Sequence, residues 1–318
     1  VSGDFDFNHI LTSQISRVEI LKGNQSSVYG SGAIGGTINI TTKKGKPGTQ
    51  KNTMINTGSH GTVNYSASYS GSDEINNFYV GFEKFQTKGM SAMTHNDEKD
   101  GYKNNSLVAN YSRELANNFK IKSNLRFSDT NKQYDKEIDT STATHSEEED
   151  SLQSSANLSL EYNLNEKFNN EVSLAQTYIK RIYNAAPGSG NTVKDNYYGE
   201  RYNYGYKGNY NFDLDNSIIF GIEREDDQIG YNANMTGKKV ESFYTTSKYF
   251  DYQKRFSENI FATFGSRFDD NSVAGNEEAH RATFAYLFDD KSTKIKSSYG
   301  TGFRFPSLYE MYYVYAAN

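Results

Sequence analysis

The chain has 318 residues, a net charge of −5 and a mean hydropathy of −0.82. Cysteine and tryptophan are absent, while 26 Tyr and 20 Phe carry most of the apolar surface. The acidic balance gives no reason to expect a nucleic-acid partner. The lack of cysteine excludes disulfides and thiolate metal sites, and the aromatic content is unlike that of disordered chains.

The segment GSGAIGG, at residues 30–36, matches the dinucleotide-binding pattern G-x-G-x-x-G. That function needs a strand before the glycines, a helix after them and an acidic residue about 20 positions on. The following TINITTKK is rich in β-branched residues, which favour a strand, and no acid occurs between Glu19 and Asp73. We therefore predict two strands, near 17–22 and 37–42, whose connecting glycines serve tight turns and packing.

From about Thr53 onward the sequence alternates with period two, which is typical of half-buried strands. The segment RYNYGYKGNYNF shows the pattern well. One face carries Tyr202, Tyr204, Tyr206, Tyr210 and Phe212. The other face carries Arg201, Asn203, Lys207 and Asn209. These strands separate an aromatic face from a polar face.

The connections between the predicted strands alternate in length. The short ones are SDEIN, ELANN, NEK, DLDN, SEN and DDKS, and the longer ones are 87–104, 129–150, 184–199, 230–241 and 271–279. Such alternation is typical of outer-membrane barrels. A soluble sandwich is the alternative, but it needs a larger aliphatic core than this composition offers. In a barrel the aromatic face meets lipid and the polar face meets the lumen, because a mid-bilayer Arg or Lys on the lipid face costs roughly 2–4 kcal/mol.

The segment RVEILKGNQSSVYGSGAIGGTINITTKKGK, residues 17–46, resembles the end of the plug domain of TonB-dependent outer-membrane receptors. The matching positions are Arg17, Glu19, Gly23, Ser26, Tyr29, Gly30, Ala33, Gly35, Gly36 and Asn39. The main departure is Asn24, where proline is usual. The segment SYGTGFRFPSLYEMYY, residues 298–313, is similar to one that enters an extracellular loop of the same barrels.

This resemblance predicts an all-β fold. Residues 1–47 are expected to form the C-terminal part of a plug domain, and residues 48–318 the N-terminal part of a transmembrane antiparallel β-barrel. About thirteen strands can be counted, whereas barrels of this family have about 22. A barrel with an open edge in lipid leaves backbone groups unpaired at several kcal/mol each, so we expect the chain to continue at both ends.

The resemblance also implies active uptake of a bulky, scarce nutrient across the bacterial outer membrane. The expected partners are the lipid bilayer, the nutrient and the inner-membrane TonB complex, which acts through a box upstream of Val1. The segments FDDNSVAGNEEAH and GMSAM with NDEKDGYKN look most like the cobalamin receptor subgroup. A ferric siderophore or haem is the alternative ligand, and no ligand-binding residue is predicted. An outer-membrane enzyme is less favoured because G-x-S-x-G and H-E-x-x-H are absent, and an adhesin would not need the plug motif.

Acidic residues lie in two predicted long loops that flank one hairpin. Asp97 and Asp100 belong to the first loop, and Asp135 and Asp150 to the second. Calcium takes six to eight oxygen ligands from flexible carboxylates, and the matching loops of cobalamin receptors bind calcium through aspartates. The resemblance therefore makes these four residues candidate calcium ligands, with a solvated acidic surface as the alternative.

Overall fold

The computed structural model describes residues 6–91, 99–116, 118–135, 146–184, 194–233 and 237–312. These residues form two antiparallel sheets and two short α-helices, joined by single-turn 3-10 helices and loops. No helix in the described ranges is long and apolar enough to span a membrane. The predicted all-β class is confirmed.

A small unit precedes the large sheet. It consists of 3-10 turns at Phe7–His9 and Thr12–Gln14, strand β1 (Ile15–Lys22), helix α1 (Ser26–Tyr29) and strand β2 (Gly36–Thr42). The two strands pair antiparallel with Ile20 opposite Ile38. The two predicted strands, and the absence of a nucleotide-type helix after the glycines, are therefore confirmed. We call residues 6–47 the plug segment.

The large sheet has thirteen strands, each antiparallel to the next in sequence. They are β3 (Gly48–Gly58), β4 (Thr62–Ser72), β5 (Asn76–Thr87), β6 (Tyr102–Ala116), β7 (Phe119–Asp135), β8 (Ser146–Asn165), β9 (Phe168–Asn184), β10 (Lys194–Asn211), β11 (Asn216–Ala233), β12 (Gly237–Arg255), β13 (Ile260–Asn271), β14 (Gly275–Leu287) and β15 (Lys294–Gly300). A 3-10 turn at Ser59–Gly61 joins the first two, and helix α2 (Leu308–Tyr312) follows the last. Among the described strands β3 and β15 each pair on one side, so the barrel is unclosed here.

Several strands are longer than the sequence pattern predicted. The connection predicted over 129–150 is largely strand, because β7 continues to Asp135 and β8 begins at Ser146. The connection predicted over 230–241 is also largely strand, because β11 continues to Ala233 and β12 begins at Gly237. These predicted boundaries were wrong for a physical reason. The residues at these strand ends are mostly polar on both faces, as in SEEED at 146–150, so they lack the apolar alternation by which a strand is predicted.

The short connections on the opposite rim are closed by aspartate side chains. The carboxylate of Asp73 accepts hydrogen bonds from the N–H groups of Ile75 and Asn76, at 2.9 and 2.6 Å. Asp290 accepts in the same way from Thr293 and Ser292 at 3.0 and 2.9 Å, which lowers the pKa of its carboxyl to about 2. Such side-chain-to-backbone bonds hold tight turns, as the turn residues of the sequence indicated.

The two faces of the large sheet differ as predicted. On β13, Arg267 and Asp269 are buried on the face that meets the plug segment, whereas Phe264 and Phe268 on the other face are exposed. Glu223 of β11 accepts a hydrogen bond from Arg267, so it lies on the same lumen face. Gly205 of β10 pairs directly with Glu223 and therefore lies on that face as well. Alternation from Gly205 places Arg201, Asn203, Lys207 and Asn209 on this lumen face. Tyr202, Tyr204, Tyr206, Tyr210 and Phe212 lie on the outer face.

Spin labels can test this assignment in the full-length receptor in lipid. A label at position 206 should be relaxed by oxygen dissolved in the bilayer, whereas a label at position 207 should not. The reason is that Tyr206 lies on the outer face and Lys207, paired with Glu171 at 3.0 Å, lies on the lumen face. Stronger oxygen relaxation at 207 than at 206 would reverse the assignment.

Candidate functional site: the plug segment and the lumen wall

The junction between plug segment and wall is held by one amide side chain. Asn77 Oδ1 accepts from the Gly45 N–H at 3.0 Å, and Asn77 Nδ2 donates to the Gly45 carbonyl at 2.9 Å. A Cβ added at Gly45 would lie 2.0 Å from the carbonyl oxygen of Gly71 and 2.7 Å from that of Phe78. Only glycine allows so close an approach of two backbones. The junction therefore fixes where the plug segment enters the barrel.

Further amide side chains continue this attachment toward the outer rim. Asn110 Nδ2 donates to Thr42 Oγ1 at 2.8 Å and to the Lys43 carbonyl at 2.6 Å. Gln14 Nε2, on the plug segment, donates to the carbonyls of Gly81 and Ser106, both at 3.3 Å. All these wall residues lie on β5 and β6. Neutral amides avoid the large desolvation penalty of buried ions, which suits an interface that fills a lumen.

The outermost contact is built around His9, whose side chain is fully buried. Its Nδ1 lies 3.0 Å from the Tyr102 hydroxyl, and the two rings stack with centroids 6.0 Å apart. Its carbonyl accepts from Asn104 Nδ2 at 3.2 Å and from Arg126 Nη2 at 3.1 Å. Asp6 lies 3.7 Å from His9 Nε2 and 3.8 Å from Lys132. Segment 6–9 is thus bonded to β6 and β7.

Burial lowers the pKa of His9, and the nearby cations Arg181, Lys132 and Arg126 lower it further, against the opposing charge of Asp6. The neutral ring is therefore the form that fits the closed contact. Unfolded histidine titrates near 6.5, so the unfolded chain takes up a proton first as the pH falls. Stability from this contact is present above that pH and is lost as the pH falls toward the lowered pKa of the folded state.

We expect acidification to loosen segment 7–10. Hydrogen exchange of its amides, corrected for intrinsic rates, should speed up between pH 7.5 and pH 5.5 in the full-length receptor. His9→Phe keeps a ring beside Tyr102 and should flatten this dependence. His60→Asn is the matched control, because His60 is exposed and its positive φ of 57° is one that asparagine tolerates. An unchanged pH dependence in His9→Phe would contradict the assignment.

On the opposite side of the lumen, α1 packs against β12, β13 and β14. The buried Arg267 donates from Nε to Asp269 at 2.7 Å and from both Nη atoms to Glu223 at 3.2 Å. A Cβ on Gly30, whose φ is 82°, would lie 3.2 Å from this guanidinium. Ser26 and Ser27 are buried at the same place. The buried charges and the helix therefore meet without space for a larger residue at Gly30.

The remaining motif residues have different roles. Arg17 forms an exposed ion pair with Glu19, and Glu19 also accepts from Asn39 Nδ2 at 3.2 Å. Ala33 is buried, and its carbonyl accepts from the Gln25 N–H at 2.9 Å. Half of the Tyr29 side chain is exposed.

The structure requires glycine at only part of the motif. Gly23 has a φ of 85°, and a Cβ on Gly36 would lie 2.4 Å from the Leu21 carbonyl. A Cβ on Gly32 or Gly35 would meet no atom within 4 Å. The interpretation that the glycines serve turns and packing therefore fits Gly23, Gly30 and Gly36, but not Gly32 or Gly35.

Sequence reasoning did not predict a group of aromatic side chains at the outer end of the lumen. Tyr183 and Tyr197 lie edge to face with ring centroids 5.8 Å apart, and Tyr197 meets Tyr309 in the same way at 6.3 Å. Beside them Arg181 Nε lies 3.7 Å from Glu149. We call this region the outer vestibule. Its only sequence signal is tyrosine at the lumen-facing positions of strand ends, which is hard to separate from the many other tyrosines.

The candidate calcium residues are only partly brought together. Gln133 N–H donates to the Gly101 carbonyl at 2.9 Å, which places Asp100 and the end of β7 at Asp135 close along the same rim. Asp150 alternates with the buried Glu149, so it lies on the outer face, where it accepts from Asn131 at 2.8 Å and Asn184 at 3.0 Å. Asp97 lies outside the described residues. In the described ranges no three His, Asp or Glu side chains cluster as metal ligands.

Comparison with known families agrees with this architecture. Residues 47–318 match the family described as TonB dependent receptor-like, beta-barrel, and residues 1–37 match the TonB-dependent Receptor Plug Domain. The chain belongs to the TonB-dependent receptor family. The predicted resemblance is thereby confirmed, and the protein is one of the bacterial outer membrane.

The relatives of this receptor chain are named for different ligands. It is 24% identical over 98% of its length to the vitamin B12 transporter BtuB of Vibrio cholerae, of which it covers 50%. Its fold is similar to the ferric enterobactin receptor PfeA of Pseudomonas aeruginosa, with a TM-score of 0.82, 15% identity and coverage of 96% and 51% of the two chains. Its fold is also similar to that of the siderophore receptor PirA of Acinetobacter baumannii, with a TM-score of 0.80 and 15% identity. That match covers 95% of this chain and 50% of PirA. The receptor chain thus spans about half the length of the curated relatives it matches.

Proposed function

We propose that the whole receptor transports a bulky, scarce nutrient across the outer membrane, driven by the TonB complex of the inner membrane. The observation that carries this proposal is the seating of a plug segment in a polar lumen. A plugged lumen does not let solutes diffuse through it, so transport requires that the plug be displaced or rearranged. The barrel supplies the rigid wall against which that change takes place.

Cobalamin is the ligand that we favour, and a ferric siderophore or haem is the alternative. Support for cobalamin is the similarity to a vitamin B12 transporter over nearly the whole chain. The fold similarity to siderophore receptors supports the alternative, but at 15% identity it concerns the fold alone. The outer vestibule is where the ligand would bind, because its aromatic and charged side chains face the lumen at the outer rim.

Competition binding tests this choice. Purified full-length receptor should bind labelled cobalamin in a way that unlabelled cobalamin displaces and ferric siderophores do not. Binding of a ferric siderophore with no cobalamin binding would move the assignment to the alternative. If cobalamin, ferric siderophores and haem all failed to bind, the proposed transport function would be rejected.

We also propose that calcium orders the outer loops that contain Asp97, Asp100 and Asp135. The backbone bond between Gly101 and Gln133 brings the two segments that contain Asp100 and Asp135 to one rim, where neighbouring carboxylates would repel unless a cation is present. A divalent ion with oxygen ligands would relieve that repulsion and tie together the two loops. Ordering the loops beforehand reduces the entropy lost on ligand binding, so affinity should rise.

The calcium proposal predicts tighter cobalamin binding in millimolar calcium than in chelator. Replacing Asp100 and Asp135 with Asn should reproduce the chelator result, because the amide oxygen remains but the charge that holds the ion is gone. Asp150→Asn is the matched control and should leave the calcium effect intact, since the Asp150 carboxylate already accepts hydrogen bonds from Asn131 and Asn184 within the sheet. Equal affinity with calcium and with chelator would contradict the proposal.

A further inference from the structure

The chain after β15 turns back over the lumen as a short helix with a well-defined start. Ser307 and Glu310 form a capping box, in which the Glu310 carboxylate accepts from the Ser307 N–H at 2.7 Å and Ser307 Oγ accepts from the Glu310 N–H at 3.2 Å. Arg304 Nη1 adds a bond to the same carboxylate at 3.0 Å, and a second Arg304 nitrogen binds its other oxygen. The Glu310 carboxylate therefore links Arg304 and Ser307 to the start of α2.

This turn is also anchored to the wall. Leu308 is buried at 4% exposure against Ile229 and Tyr231 of β11, which are 3% and 1% exposed. The Tyr231 hydroxyl donates to the Tyr312 carbonyl at 3.2 Å, at the far end of α2. The buried side chain of Leu308 at the start of the helix and the hydrogen bond from Tyr231 at its end hold α2 against the wall. Such an arrangement is unlike a hinged lid, which has few buried contacts.

The anchored helix completes the aromatic row of the outer vestibule. Tyr309 follows Leu308 directly and lies edge to face with Tyr197, which meets Tyr183 in the same way. Tyr183 and Tyr197 lie on the lumen face of the sheet, and all three residues are only partly buried. Aromatic rings held in this way bind flat conjugated groups by stacking.

We propose that Arg304–Tyr312 is a fixed wall of the ligand site, in which Glu310 and Leu308 position Tyr309 to stack on a flat, conjugated part of the ligand. This inference rests on the proposed transport function. It selects ligands with aromatic or macrocyclic conjugated rings, such as cobalamin or a ferric catecholate chelate, over ferric hydroxamate chelates that have none.

The test uses full-length receptor and three probes: cobalamin, a ferric tris-catecholate and a ferric tris-hydroxamate. Tyr309→Ala should raise the Kd of the bound probe roughly tenfold, as expected for loss of one stacking ring. Glu310→Ala should raise it similarly, with the number of sites per receptor unchanged. Tyr309→Phe keeps the ring and should stay within about twofold, as should Glu278→Ala, which removes an exposed acid on the outer face of β14.

Hydrogen exchange tests whether the wall is fixed. The amides of Glu310 and Met311 donate to Ser307 Oγ and to the Ser307 carbonyl, so they should be protected before ligand is added and gain little on binding. Protection that appears only with ligand would overturn the fixed wall. An unchanged Kd in Tyr309→Ala, fewer sites at unchanged Kd in Glu310→Ala, or binding of the hydroxamate alone would overturn the stacking role. A wild-type receptor that binds none of the probes would instead reject the proposed function, and this inference with it.

Discussion

Replacing Gly45 with valine is expected to disrupt the contact between the plug segment and the barrel wall and to destabilise the receptor. A Cβ there would lie 2.0 Å from the Gly71 carbonyl oxygen. Backbone atoms in a sheet cannot rotate away, so the cost should reach the upper end of the about 1–3 kcal/mol typical of overpacking. The two hydrogen bonds to Asn77 would be strained at the same time. The expected results are a lower free energy of unfolding and protease cleavage near residues 43–47.

Gly32→Val is the matched control for this substitution. Gly32 belongs to the glycine-rich motif, but an added Cβ there meets no atom within 4 Å. Its effect should stay within about 0.5 kcal/mol, as for most surface substitutions. If Gly45→Val were as stable and as protease-resistant as Gly32→Val, the close approach at the junction would be refuted.

The second large loss of stability is expected from Arg267→Met. The Arg267 and Asp269 side chains are 5% and 2% exposed, and Arg267 also bonds to Glu223. Removing the cation leaves a buried carboxylate without its partner, which typically costs about 3–5 kcal/mol. Denaturant unfolding of the full-length receptor in detergent should show a loss of this size. The contact with α1 should loosen as well, because Gly30 rests on the guanidinium.

Arg255→Met provides the comparison, since it also removes one arginine from an ion pair on the sheet. Arg255 and Asp215 are 44% and 46% exposed, and such pairs contribute about 0–1 kcal/mol. A second variant, Arg267→Met with Asp269→Asn, should recover part of the loss because it removes the unpaired charge. Equal stability of the Arg267→Met and Arg255→Met receptors would show that the buried charges do not hold this region.

The sequence predicted what depends on short-range pattern. Alternation in residues 201–212 correctly separated Tyr206 from Lys207, and the β-branched run after Gly36 correctly indicated a strand. The ends of β7 and β8 were missed because the residues there are polar on both faces and show no apolar alternation. The existence of a strand is thus encoded locally, whereas its end is set by pairing with the neighbouring strand.

The attachments inside the lumen could not be predicted in this way. Asn77 and Gly45 are 32 positions apart, and His9 and Tyr102 are 93 apart. An asparagine in a polar strand or a lone histidine gives no local signal of its partner. The vestibule was missed for the same reason, because Tyr183, Tyr197 and Tyr309 meet only through the tertiary fold.

The most direct test of the proposed function is uptake by cells that express the complete reading frame. Labelled cobalamin and a labelled ferric siderophore should each be offered to cells with and without TonB, and with a protonophore. We expect one of the two to accumulate inside the cells above the level bound at the surface, and only when TonB and the proton gradient are both present. Accumulation that is equal without TonB, or surface binding with no accumulation under any condition, would contradict the assignment of this protein as an active transporter.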